Sequence, residues 1–182
     1  MAIGTADILF KLCATAGTAG NSLAQTDPNL SLGKYISTTE ITAASLNNLF
    51  DDVSGAENAA SDVEYRCFFV HNNHGSLAWT GLRMWMSAET AGGANIAVNM
   101  DSTGAKVLAS TAGQAQLIAD ESTAPSSTGT AWGSPTGSAT GFLLGTLGAG
   151  SCYGIWVRRT AANSTALDND DVTISFQGDT AA

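Results

Sequence analysis

Apolar and polar residues alternate in short runs along most of this chain, and clusters of glycine, asparagine, aspartate, serine and proline separate the runs. Alternation with a period of two marks strands that bury one face. The strongest run sets Val63, Tyr65, Cys67 and Phe69 on one face and Glu64, Arg66, Phe68 and Val70 on the other, so its second half should be buried on both faces. Residues 77–87 predict another long strand, with Leu82, Met84 and Met86 facing one way and Gly81, Arg83 and Trp85 the other. The connector His71-Asn-Asn-His74-Gly75 is rich in turn formers, which suggests that these two strands pair antiparallel. Ile96, Val98 and Met100 predict a shorter strand before the turn Asp101-Ser-Thr-Gly104, while residues 106–108 and 116–118 are weaker candidates. Residues 141–144 and 153–157 are apolar runs on either side of a glycine-rich turn at 145–150. Asp168-Asn-Asp-Asp171 then makes a polar tip before Val172, Ile174 and Phe176 alternate with Thr173, Ser175 and Gln177, the pattern of a closing hairpin.

Residues 1–35 read as an extended N-terminal arm. Ile8-Leu-Phe-Lys-Leu12 suits a short strand, and Thr15-Ala-Gly-Thr-Ala-Gly20 and Asp27-Pro-Asn29 interrupt regular structure after it. Residues 36–182 form a single domain, since 182 residues are enough for one well-buried core and short for two. After a strand from Ile36 to Thr42, Thr42 and Ser45 stand ahead of Leu46 and Leu49-Phe50, which predicts one or two helical turns there, followed by a polar loop to Asp62. Residues 122–138, with Trp132 among Ser, Thr, Gly and Pro, predict a long loop. About seven to nine short strands with at most one short helix make an all-β fold, an antiparallel β-sandwich or jelly roll.

Composition narrows the function classes. Seven Lys and Arg against 16 Asp and Glu give a net charge of −9, and charged residues are 13% of the chain, about half the usual share. The 30 Ala, 21 Thr, 20 Gly and 18 Ser supply a surface of small neutral groups. The largest basic cluster is Arg158-Arg159, too little to neutralise a polyphosphate, so nucleic acid is not an expected partner. No apolar run reaches the roughly 18 residues of a membrane span, and the start lacks the basic and apolar regions of a signal peptide. Neither a membrane partner nor export is therefore expected, and the cytoplasm is the expected place of synthesis. Cys13, Cys67 and Cys152 are widely spaced and odd in number, which favours buried reduced thiols.

Candidate chemistry is sparse. His71-x-x-His74 could share a metal, yet no third ligand is nominated and positions three apart on a strand diverge. Asp168–Asp171 resembles the opening of a calcium loop, but Thr173 and Asp179 stand where the loop's Gly and Glu belong. There is no Gly-x-Ser-x-Gly, and the glycines of 145–150 are not followed by Lys-Ser or Lys-Thr, so neither a nucleophile elbow nor a phosphate cradle is present. No enzyme activity, metal or cofactor is expected. Of the four tryptophans, Trp85 and Trp156 sit in strand patterns and are expected in the core, whereas Trp79 and Trp132 lie near connectors and could anchor a partner or stack on a sugar. Arg158 and Arg159 point to opposite faces, one as surface charge and one as a paired or interface guanidinium. The candidate interface residues are Phe10 and Leu30 in the arm, Tyr35 at its end, Trp79, Trp132, Arg158 and Arg159.

Three stretches, Asn29-Leu-Ser-Leu-Gly-Lys-Tyr-Ile-Ser37, Glu64-Tyr-Arg-Cys-Phe-Phe-Val-His-Asn72 and Gly154-Ile-Trp-Val-Arg-Arg-Thr160, resemble small structural proteins of tailed bacteriophage virions. The resemblance is one of general character and spans most of the chain. It implies a head decoration or cement protein, a homo-oligomer with a trimer favoured, that sits on the outer surface of the head and bridges copies of the major capsid protein. A tail tube, tail-completion or fibre-base protein would share the same features. A carbohydrate-binding module, with Trp79 and Trp132 on one exposed face, is the alternative of another class.

Overall fold

The alternating run at 63–70 becomes the strand on which the rest of the molecule is built. In the computed structural model, which describes residues 2–17, 22–167 and 169–180, the elements are β1 (Ile8–Ala14), β2 (Tyr35–Glu40), α1 (Gly55–Ala60), β3 (Val63–Asn72), β4 (Trp79–Glu89), β5 (Asn95–Met100), β6 (Lys106–Val107), β7 (Phe142–Leu147), β8 (Ser151–Thr160) and β9 (Val172–Thr180). Part of the interruption at 15–20 and Asp168 of the polar tip lie outside the described residues. Six strands form one antiparallel sheet in the order β2-β1-β3-β8-β5, with β6 also on β8, and three form a second in the order β7-β4-β9. The two pack face to face as an all-β sandwich.

Alternation decides which side chains meet between the sheets. Phe68 and Val70 of β3, Tyr153, Ile155 and Val157 of β8, and Val98 and Met100 of β5 pack against Leu82, Met84 and Met86 of β4 and Leu144 and Leu147 of β7. Val172, Ile174 and Phe176 of β9 close this core at its side, where Phe176 meets Phe10 at a centroid distance of 5.1 Å. Each fully buried aliphatic or aromatic side chain contributes about 1.5–3 kcal/mol. The opposite set of β3 and β8 residues, Cys67, Phe69, Cys152 and Trp156, is buried as well, with Cys13, Ile36, Ala115 and Ile118. The larger sheet therefore has a core on each side: a sheet covers one face and loops cover the other. The sequence expectation that the second half of β3 is buried on both faces holds.

Several local expectations are corrected. The extended first 35 residues are not detached from the domain: β1 lies inside the larger sheet, bonded to β2 on one side and to β3 on the other. Its apolar residues find a full row of partners there, whereas a free arm would leave them in water. β3 and β4 do not pair, because β3 is already flanked by β1 and β8, and the connector from Asn73 to Ala78 carries the chain to the other sheet. β8 and β9 likewise lie in different sheets, so the closing hairpin is absent and β9 pairs with β4. No helix forms at 42–50, where Ala44 and Asn47 take positive φ. The helix starts after Ser54, which accepts from the Glu57 amide while the Glu57 carboxylate accepts from the Ser54 amide, a reciprocal capping box.

Candidate interaction surfaces

The loops over the outer face of the larger sheet are tied down by buried polar groups. Asp101, fully buried at the end of β5, accepts from the Trp156 indole, the Gln116 amide and the Thr103 amide, each at 2.9 Å. Gln114, also fully buried, accepts from the Ile36 amide at 3.2 Å and donates to Leu108 O at 2.7 Å. Asn99 accepts from the Thr130 hydroxyl and donates to Thr130 O, both at 2.9 Å. Gly33 (φ +93°) lets the 28–34 segment approach this lid, since a Cβ there would lie 1.9 Å from Gln116 O. At the rim, half-buried Trp132 meets Tyr65 at a centroid distance of 5.5 Å with the rings tilted by 55°, and the Arg158 guanidinium lies 5.4 Å from its ring centroid. Leu30 and Leu117 remain exposed on the segments of this side, at 51% and 45%.

A second constellation fixes the 41–54 loop. Phe50 lies under two guanidinium groups, Arg159 at 4.7 Å and Arg66 at 5.3 Å. Arg159 bonds the Glu64 carboxylate beside it in the ladder and the carbonyl and carboxylate of Asp51. Arg66 pairs with Glu121 at 2.5 Å and donates to Asn29 Oδ1 at 3.2 Å. Glu64, Arg66 and Arg159 are all buried, so these pairs hold chain segments in place; a buried charge stripped of its partner is strongly destabilising.

The outer face of the smaller sheet is different. Arg83, Trp85 and Ser87 of β4, Leu143 of β7 and Thr173, Ser175 and Gln177 of β9 point away from the core, and Leu143 is 55% exposed. A shallow depression of about 360 Å³ opens beside this row, lined by Gly81, Arg83, Ser138, Ala139, Gln177, Gly178 and Asp179.

The seven sequence-nominated residues do not form one surface. Leu30, Trp132 and Arg158 lie on the loop-covered side of the larger sheet. Tyr35 is buried there, its hydroxyl donating to Thr111 O at 3.2 Å. Phe10 packs between the sheets, and Arg159 is engaged by Glu64 and Asp51. Trp79 is corrected from exposed anchor to core residue: it begins β4, the middle strand of the smaller sheet, between Leu147 and Thr180, packs in the inter-sheet core and is 9% exposed. Trp79 and Trp132 therefore share no exposed face, and the sugar platform built on that pair is lost. Trp85 is corrected in the opposite sense, from core to the half-buried outer row. The alternation already on the page, with Leu82, Met84 and Met86 inward, carried that signal.

The remaining candidates have structural surroundings. His74 Nδ1 accepts from the Ser76 and Leu77 amides at 3.1 and 3.0 Å. His71 is 2% exposed with neither ring nitrogen hydrogen-bonded, and burial together with nearby Lys11 pushes its pKa down to about 4. Asp170 and Asp171 bind the Ala94 amide and the Thr90 hydroxyl. The three cysteines are free and buried; burial pushes Cys67 well above the usual thiol range and Cys152 up to about 12. Comparison with protein-family models, with curated proteins and with solved structures finds no match to this chain.

Proposed function

We propose that this chain is a virion structural protein, a capsid decoration or cement protein that binds the major capsid protein as a homo-oligomer, favoured as a trimer, and stabilises the shell of a tailed-bacteriophage head from its outer surface. The observation that carries this reading is how the polar side chains on the loop-covered side are used. Asp101, Gln114 and Asn99 are spent on holding loops against that face of the sheet. What that side offers outward is partly apolar, with Leu30 and Leu117 exposed and half-buried Trp132 at the rim. Such a surface suits adhesion by area and shape. The three stretches that carry the resemblance also lie together: β3 pairs with β8 along its length, and the Cys67 amide donates to Ser31 O. The net charge of −9 suits the outside of a head, away from packaged DNA.

Removing residues 1–35 is a poor test of attachment, because it takes β1 out of the middle of the sheet. A better one mixes the purified chain with heads assembled without it and counts occupancy by imaging. Leu30→Asp with Leu117→Asp changes only exposed side chains and should lower occupancy at least about tenfold while the protein stays folded. Wild-type protein that ignores heads and coats tail tubes would move the assignment to the tail; unchanged occupancy of the double variant would remove this face from the contact.

A further inference from the structure

The geometry points to a binding site for a neutral oligosaccharide on the outer face of the smaller sheet, running along β4 from Trp85 to the depression beside Arg83. This inference stands on different residues from the head-binding reading and does not depend on it.

The depression opens where the β4–β9 register shifts at Gly81, which takes φ +61° and where a Cβ would meet only the Asp179 carboxylate, 4.0 Å away, so the floor there is bare. Gly178 beside it is held to glycine from the core side, where a Cβ would lie 2.5 Å from the Trp79 indole nitrogen. Around this floor stand hydrogen-bonding groups that the fold leaves unused. The Asp179 carboxylate and the Gln177 side-chain amide have no side-chain hydrogen bond among the described residues, and Arg83 donates once, to Gly141 O at 3.1 Å. Arg83 and Asp179 line the same depression, yet no ion pair joins Arg83 to a carboxylate among the described residues. On the loop-covered side the opposite holds, with Asp101, Gln114 and Asn99 each holding two or more bonds.

The class of ligand follows from these groups. Trp85 lies one outward step along β4 from Arg83, about 7 Å away, with Ser175 opposite it, and Arg83 has Gln177 opposite. An indole flanked by a hydroxyl offers a flat apolar surface with a polar rim, which matches the face of a pyranose ring. Guanidinium, amide and carboxylate together supply donors and acceptors for hydroxyls, each of which both donates and accepts. A polyanion is disfavoured by Asp179 in the same depression and by a single arginine. A wholly apolar ligand would strand the three polar side chains. A neutral sugar chain satisfies the stacking surface and the polar wall at once.

The test titrates the full chain with soluble neutral oligosaccharides of α-glucan, β-glucan, galactan and N-acetylglucosamine type, following tryptophan fluorescence and capture on immobilised glycans. At least one series should bind. Trp85→Ala should weaken that binding about tenfold or more, Gln177→Ala roughly threefold to tenfold, Trp85→Tyr should restore part of it, and Trp132→Ala should leave it unchanged. Thermal melting of each variant separates lost binding from lost fold, and Gln177→Ala, an exposed change, keeps the test open if Trp85→Ala unfolds. Absence of binding to every neutral series at about 10 mM, binding only to sulfated or otherwise anionic glycans, or binding that survives both Trp85→Ala and Gln177→Ala would each overturn the site. So would a protein partner captured through Trp85 by a chain that binds no glycan. Heads that fail to bind the protein would leave this result untouched.

Discussion

The two sheets treat their outer faces in opposite ways. The larger one is sealed by loops whose buried polar side chains each satisfy several backbone groups, while the smaller one leaves its outer row half-buried to exposed, with Gln177 and Asp179 making no side-chain hydrogen bond among the described residues. The difference comes from what each covering must do. A loop laid over a sheet brings backbone amides and carbonyls into a dry environment, and every one needs a partner. Asp101, Gln114 and Asn99 are those partners, so stability is concentrated in them. The open face has no such debt, and its residues are free to serve recognition.

The largest effect expected from that contrast belongs to Asp101. Asp101→Ala leaves the Trp156 indole and two amides without an acceptor, and should cost roughly 3–5 kcal/mol in urea denaturation, with the 102–118 loop losing amide-exchange protection first. A loss under about 1 kcal/mol would mean that the loops hold themselves.

The next effect is a pH dependence written into the sealed side. His71 on β3 faces Lys11, and Leu9 and Cys152 are its ladder neighbours. Its pKa is depressed in the fold, so between the ordinary value of 6.5 and about 4 the unfolded chain takes the proton and the folded one does not. Its contribution is therefore intact above pH 6.5 and lost as pH falls towards 4, by roughly 3 kcal/mol across the interval. Melting curves of wild type and His71→Leu should diverge over that window and run parallel above it; curves parallel throughout would show that His71 titrates normally.

The smallest effect is expected on the open face. Gln177→Ala and Ser175→Ala should change stability by less than about 0.5 kcal/mol, since nothing in the core rests on either side chain. A larger loss in chemical denaturation would show that this row is structural and would blur the contrast between the two faces.

Legibility followed the range of the interactions. The inward rows of β4, β5 and β9 could be read directly, because alternation is a property of neighbouring residues. Ser54 and Glu57 carried an equally local helix signal, yet apolar residues at 46–50 drew the expectation to the wrong segment; Leu49 and Phe50 pack against the core, with Phe50 between two guanidinium groups, while Leu46 stays exposed. Pairing was a different matter. The turns after β3 and β7 look like hairpin turns, but both carry the chain from one sheet to the other. The interface nominations suffered in the same way: Trp79 and Phe10 went inward, and the depression at Gly81 and Gly178 depends on residues far apart in sequence meeting across a ladder.

By itself the sequence determined an all-β chain, the inward and outward rows of its main strands and a surface poor in charge, because these depend on residue type and on a period of two. The tertiary structure decided which strands became neighbours, which arginines were consumed in the interior and which face stayed open. Those outcomes depend on competition among distant segments for the same edges, and no local pattern encodes who wins it.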